Sequence, residues 1–99
     1  MRKQIAAANW KMNLSLAQAE TLLNELVASA LTLGAYQEAV FAVPSIYIPL
    51  ALAKLANKSN VLVAAQNCHQ KESGAYTGEV SASMLQSIGV KHILSLIHI

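Results

Sequence analysis

Apolar and polar residues fall in blocks along the chain, and the period of the blocks changes from one to the next. Gln4–Ala8 is a short apolar run without alternation, the pattern of a strand buried on both faces. Ser15 follows with Gln18 three residues on, a capping-box spacing that opens a helix. Leu16, Ala19, Leu22, Leu23, Leu26, Val27 and Ala30 then recur at helical spacing, with Gly34 as the expected stop. Glu38–Val43 predicts a second strand, closed by Pro44. Ile48–Ala56 predicts a second helix, whose Pro49 is tolerated because it falls in the first turn. Val61–Ala65 is a third apolar run, followed by the polar, glycine-bearing stretch "QNCHQKESGAYTGEVS". Ser81 is placed to cap a third helix through Ser87, with Gly89 ending it and Val90–Leu94 beginning a fourth strand. The order is β-α-β-α-β-α-β. Strands of this kind, separated by amphipathic helices, imply a parallel sheet with right-handed crossovers. Both an open doubly wound sheet and part of a (β/α)8 barrel satisfy that order.

Composition sharpens this picture. Of the 99 residues, 55% are hydrophobic and 12% charged, while aromatics are only 5%. The excess is aliphatic and greater than in an ordinary soluble domain, which marks a chain that packs against more protein than it contains. The formal charge of +2 comes without a basic cluster, so neither a nucleic-acid footprint nor a polybasic membrane patch is expected. No apolar run approaches the ~20 residues that span a bilayer. The basic start "MRKQ" precedes too short an apolar stretch for a secretory signal. The single Cys68 excludes an internal disulfide framework, fits a reducing compartment and has no metal-ligand spacing around it. The sequons at Asn13 and Asn57 are read as unused in a cytosolic chain.

In either parallel architecture, function collects at the carboxyl ends of the strands. Asn9, Lys11 and Asn13 follow the first strand, Pro44 and Ser45 the second, Gln66 and Asn67 the third. A lysine in such a place is a compact cation suited to a phosphate or a developing oxyanion. Spacing alone equally allows a lysine on a solvated loop with Trp10 packed beneath it.

The residues themselves go further. "NWKMN" after the first strand, "AQNCHQKESGAYTGEVSASML" after the third and "IGVKHI" before the fourth resemble the corresponding segments of the triosephosphate isomerase family, with the same element order and spacing. The resemblance covers residues 1–93. It implies a (β/α)8 barrel, of which this chain is about the first three and a half βα units. It implies an obligate homodimer that needs no cofactor. The implied substrates are dihydroxyacetone phosphate and glyceraldehyde 3-phosphate, interconverted in the cytoplasm. Matched by position, Asn9 and Lys11 fall on the family's substrate-contacting residues, Lys11 with a catalytic role. Thr77 falls on a threonine that reaches into the partner's active site, and Glu79 on a glutamate that anchors the same loop. Gly74 and Gly78 fall on its glycines, where tight backbone geometry is expected. Gly74–Gly78 lacks the Gly-Lys-Ser/Thr of a phosphate-binding P-loop. His69 is expected to be solvated, His92 structural, and Cys68 a buried or interface thiol.

The tail departs from the family pattern. Where the family continues toward Gly-His-Ser-Glu, this chain reads "LSLIHI", with Ile97 in the place of the electrophilic histidine and His98 one position late. The hexapeptide is also what a common transposase sequencing adapter encodes, so 94–99 is expected to be a non-native tail. Two classes of function are therefore in play. One is an isomerase fragment that is inactive alone. The other is a free-standing, non-catalytic βα domain that binds a phosphorylated ligand or a protein partner.

Overall fold

The computed structural model describes residues 2–28, 34–56, 58 and 60–94. Four strands, β1 (Gln4–Asn9), β2 (Gln37–Val43), β3 (Val61–Ala65) and β4 (His92–Ile93), form one parallel sheet in the order β1-β2-β3-β4. The helices α1 (Leu16–Ala28), α2 (Ile48–Leu55) and α3 (Ala82–Ser87) make the crossovers, and a 3-10 turn at Ser45–Tyr47 leads into α2. A doubly wound sheet reverses its strand order at a switch point. Here each strand pairs with its predecessor and no reversal occurs, so the architecture is the opening segment of a (β/α)8 barrel.

The local signals act as their chemistry dictates. Gln18 Oε1 accepts from the Ser15 backbone N–H at 2.9 Å, and Ser15 Oγ accepts from the Gln18 N–H at 3.3 Å, a reciprocal capping box at the start of α1. Ser81 Oγ accepts from the Met84 N–H at 3.2 Å and caps α3. At the other end of α3, the Gly89 N–H donates to Gln86 O and the Val90 N–H to Leu85 O, with Gly89 at φ +99°, a Schellman closure that a glycine accommodates.

The core lies over the central strands. Val43, Val61, Val63 and Ala65 of β2 and β3 pack with Ala19 and Leu23 of α1, Ile48, Ala51 and Leu55 of α2, and Tyr47, Leu85 and Val90.

Several expectations are corrected. β1 is not a buried strand: all six of its residues are exposed, because among the described residues β2 is its sole strand neighbour and the core lies over β2 and β3. β4 is shorter than Val90–Leu94, because Val90 is engaged in closing α3. Its ladder nevertheless continues to the Leu94 N–H, which donates to Ala65 O at 2.7 Å. α2 ends at Leu55, one residue before the expected Ala56. Gly34 does not have a left-handed φ. It shapes the turn into β2, its carbonyl accepting from the Gln37 N–H and from Asn60 Nδ2. The expected helical position Ala30 and the tail residues 95–99 lie outside the described residues.

Candidate functional site

Asn9 is the last residue of β1, opposite Ala42 of β2, and the chain turns sharply after it. The Trp10 N–H donates to Ala42 O at 3.0 Å and carries the ladder one residue further. Lys11 then takes φ +57°, a left-handed conformation that costs a non-glycine residue on the order of 1–2 kcal/mol. Two side chains hold it there. The Lys11 N–H donates to Asn9 Oδ1 at 2.9 Å. Gln66, immediately after β3, donates from Nε2 to Lys11 O at 2.9 Å and to Ala42 O at 3.1 Å. Two carbonyl acceptors at one nitrogen fix which way the Gln66 amide points. Farther along, Asn13 Nδ2 donates to Trp10 O at 3.0 Å. Leu14, also left-handed at φ +80°, has its carbonyl held by the Tyr47 hydroxyl at 2.7 Å.

Asn9 and Lys11 are thus brought together at the carboxyl end of the sheet, as expected, but the contact is from side chain to backbone. Asn9 orients the peptide of Lys11, and the lysine side chain is left exposed. Among the described residues its ammonium has no ion-pair partner. The arrangement presents one positive charge, at a strand end, on a backbone restrained from both sides.

The third loop is folded on itself. His69 is not simply solvated: its N–H donates to Val80 O at 2.7 Å, its Nδ1 accepts from the Lys71 N–H at 3.1 Å, and its ring lies 4.3 Å from that of Tyr76. Gly74, at φ +134°, lets the Tyr76 ring approach so closely that a Cβ there would lie 2.8 Å from it. Thr77, Gly78 and Glu79 are exposed, and the Glu79 N–H donates to Tyr76 O at 3.0 Å. No hydrogen bond ties Thr77 to Asn9 or Lys11 within the chain. Between the second and third loops lies a cavity of about 160 Å³ lined by Ser45, Gln66, Asn67, Cys68, Gly78, Glu79 and Val80. Cys68 is half-buried against the core, and His92 is exposed on β4. Among the described residues, no group of three or more His, Cys, Asp or Glu side chains could hold a metal ion, and no helix is long and apolar enough to cross a membrane.

In the sequence Gln66 stands as a polar residue after a strand and as part of the third-loop motif, without a contact assigned to it, and Tyr47 has no role. Each acts on a carbonyl of the first loop from a later βα unit, which no local pattern reveals.

Comparison with known proteins agrees with this geometry. The family model for triosephosphate isomerase matches residues 4–95. The triosephosphate isomerase of Flavobacterium johnsoniae is 47% identical over 94 residues, covering 95% of this chain and 37% of that protein. That of Cytophaga hutchinsonii is 43% identical over 95 residues, with the same coverage of 95% and 37%. That of Mycoplasma mobile is 41% identical over 96 residues, covering 95% and 40%. The chain spans well under half the length of these curated relatives.

Proposed function

The chain belongs to the triosephosphate isomerase family, and on that premise we propose that it is the N-terminal part of an enzyme interconverting dihydroxyacetone phosphate and glyceraldehyde 3-phosphate in glycolysis and gluconeogenesis. The observation that carries this reading is Lys11, a cation with no ion-pair partner among the described residues, at the carboxyl end of β1 on a backbone restrained by Asn9 and Gln66.

The reaction moves a proton between neighbouring carbons through an enediolate. Negative charge is present on the phosphate throughout and grows on the carbonyl oxygen as the proton leaves. Lys11 attracts the dianion and stabilises the growing oxyanion, a contact stronger in the transition state than in the ground state. A lysine held in one backbone conformation makes that contact with little reorganisation when the charge develops. Asn9 holds Lys11 through its carbonyl oxygen and keeps its own amide donors for substrate.

Abstraction of the proton needs a base within hydrogen-bond reach of the carbon acid, and the carbonyl needs an electrophile. In this reading both come from the remainder of the barrel, 94–99 is a non-native tail, and residues 1–99 alone are inactive. The enzyme works as a cytoplasmic homodimer without a cofactor. Thr77 and Glu79 lie in an exposed loop whose turns place Gly74 and Gly78 at positive φ, which supports its insertion beside Asn9 and Lys11 of a second copy.

The test is Lys11→Ala in the full-length polypeptide. Losing a desolvated charge contact to a dianion should lower kcat/KM by on the order of 10²-fold or more, with circular dichroism unchanged. Near-normal turnover would overturn the assignment.

A further inference from the structure

A cavity of about 250 Å³ opens at the amino ends of β3 and β4, the end of the sheet opposite Lys11. Its floor is apolar, formed by Leu52 and Leu55 of α2 and Val63 of β3. Its rim carries Lys58, Lys91 and His92. β4 pairs with β3 only from Ala64 onward, so on that side the first residues of β3 have no strand beside them among the described residues, and they border the cavity instead.

The rim residues are scattered in the sequence. Lys58 precedes β3, while Lys91 and His92 lead into β4, and the parallel pairing brings the two strand starts together. No carboxylate offsets them. The chain has no acidic residue between Glu38 and Glu72 and none after Glu79. None of the three has an ion-pair partner among the described residues, where Lys3 pairs with Glu38. Cations gathered around one concavity repel each other, and an anion that enters relieves the repulsion.

The ammonium groups bring mobile donors and the imidazole one more, while the floor offers only apolar contact. A cationic rim over an apolar floor selects a ligand with an ionic head and an apolar body. The volume falls just below the roughly 300–1,000 Å³ of sites for drug-sized ligands, so the body is a single ring or a short chain. Two ammonium groups match the near-double charge of a phosphate monoester better than the single charge of a carboxylate. We propose that this cavity binds a small organic phosphate with an apolar body, at a site separate from the Lys11 end. The proposal does not rest on the isomerase reading.

The experiment uses the full-length polypeptide carrying Lys11→Ala, which silences the cation at the carboxyl end of β1. Phenyl phosphate is titrated by calorimetry while the ring protons of His92 are followed by NMR. Binding should saturate at one equivalent, move the His92 signals and weaken as salt is raised. Lys58→Gln combined with Lys91→Gln should weaken it about tenfold, the sum of two exposed charge contacts. In a polypeptide that keeps Lys11, the same pair of substitutions should leave isomerase turnover unchanged. Inorganic phosphate lacks the apolar body and benzyl alcohol lacks the charge, and each should bind about tenfold or more weakly than phenyl phosphate. Absence of saturable binding, equal affinity after loss of both lysines, or His92 signals unmoved at saturation would overturn the proposal. Inorganic phosphate or benzyl alcohol binding as tightly as phenyl phosphate would overturn it as well, because the site would then read only charge or only apolar surface. A fully active Lys11→Ala would overturn the isomerase reading alone, and the lysine pair would still decide this one.

Discussion

The Tyr47 hydroxyl donates to the Leu14 carbonyl at 2.7 Å, tying the far end of the first loop to the turn that follows β2. The Tyr47 ring is buried in the core, and Leu14 holds a left-handed φ of +80°. A buried anchor thus holds a strained residue across 33 positions of chain. Tyr47→Phe keeps the ring and deletes the donor. It should destabilise the full-length protein by about 1–2 kcal/mol, read from denaturant unfolding. A shift within error would mean that water replaces the hydroxyl at no cost.

Ser15→Ala tests the capping box. The Gln18 N–H loses its acceptor while the Gln18 side chain still reaches the Ser15 N–H. The expected loss is about 1 kcal/mol, with activity retained, because α1 begins beyond the residues that restrain Lys11. Equal stability of variant and parent would deny the cap any energetic role.

Gly74→Ala tests the third loop. The added Cβ would sit 2.8 Å from the Tyr76 ring at a φ of +134°. The ring must turn away, which breaks its stacking on His69, and the strained backbone costs about 1–3 kcal/mol more. If this loop with Thr77 inserts into a second subunit, a penalty of that size should weaken the dimer about tenfold or more. Sedimentation at falling concentration measures it, and an unchanged dimer would remove the loop from the interface.

Residues 1–99 expressed alone should be inactive and should self-associate. Every residue of β1 is exposed, and Ile5, Ile46, Met84 and Ile88 add apolar surface at 59%, 77%, 54% and 47% exposure. A strand with an open edge and uncovered faces recruits other chains. Isomerase assays, size exclusion and the near-UV signal of Trp10 decide the matter. A soluble, cooperatively folding monomer would favour an independent βα domain, and measurable turnover would refute inactivity.

How much of this was legible beforehand depended on the range of each interaction. Ser15 with Gln18 and Ser81 with Gly89 act within a few residues, so their helix ends could be read directly. The choice between barrel and doubly wound sheet could not be read from the element order, because it depends on which strand edges pair and every βαβ unit looks alike along the chain; the resemblance of the loop motifs to the family pointed to the barrel. "IAAAN" announced a strand, but burial is decided by what lies over it, and nothing within β1 encodes that. Val90 read as a strand residue because it is apolar and β-branched, yet it is engaged in closing α3. Asn9 and Lys11 stood out through their motif, whereas Gln66 showed its role only once β3 lay beside β2 and β1.

The separation of Lys11 from Gln66 also sets a schedule during synthesis. Each new strand joins the edge left by the preceding one, so the sheet can grow in step with the emerging chain. Gln66 leaves the ribosome 55 residues after Lys11, a delay of roughly 3–11 s at typical elongation rates. Through that interval the first loop has its local bonds from Asn9 and Asn13 but not the long-range one from Gln66. The Lys11 carbonyl therefore gains its Gln66 partner only when the third unit docks.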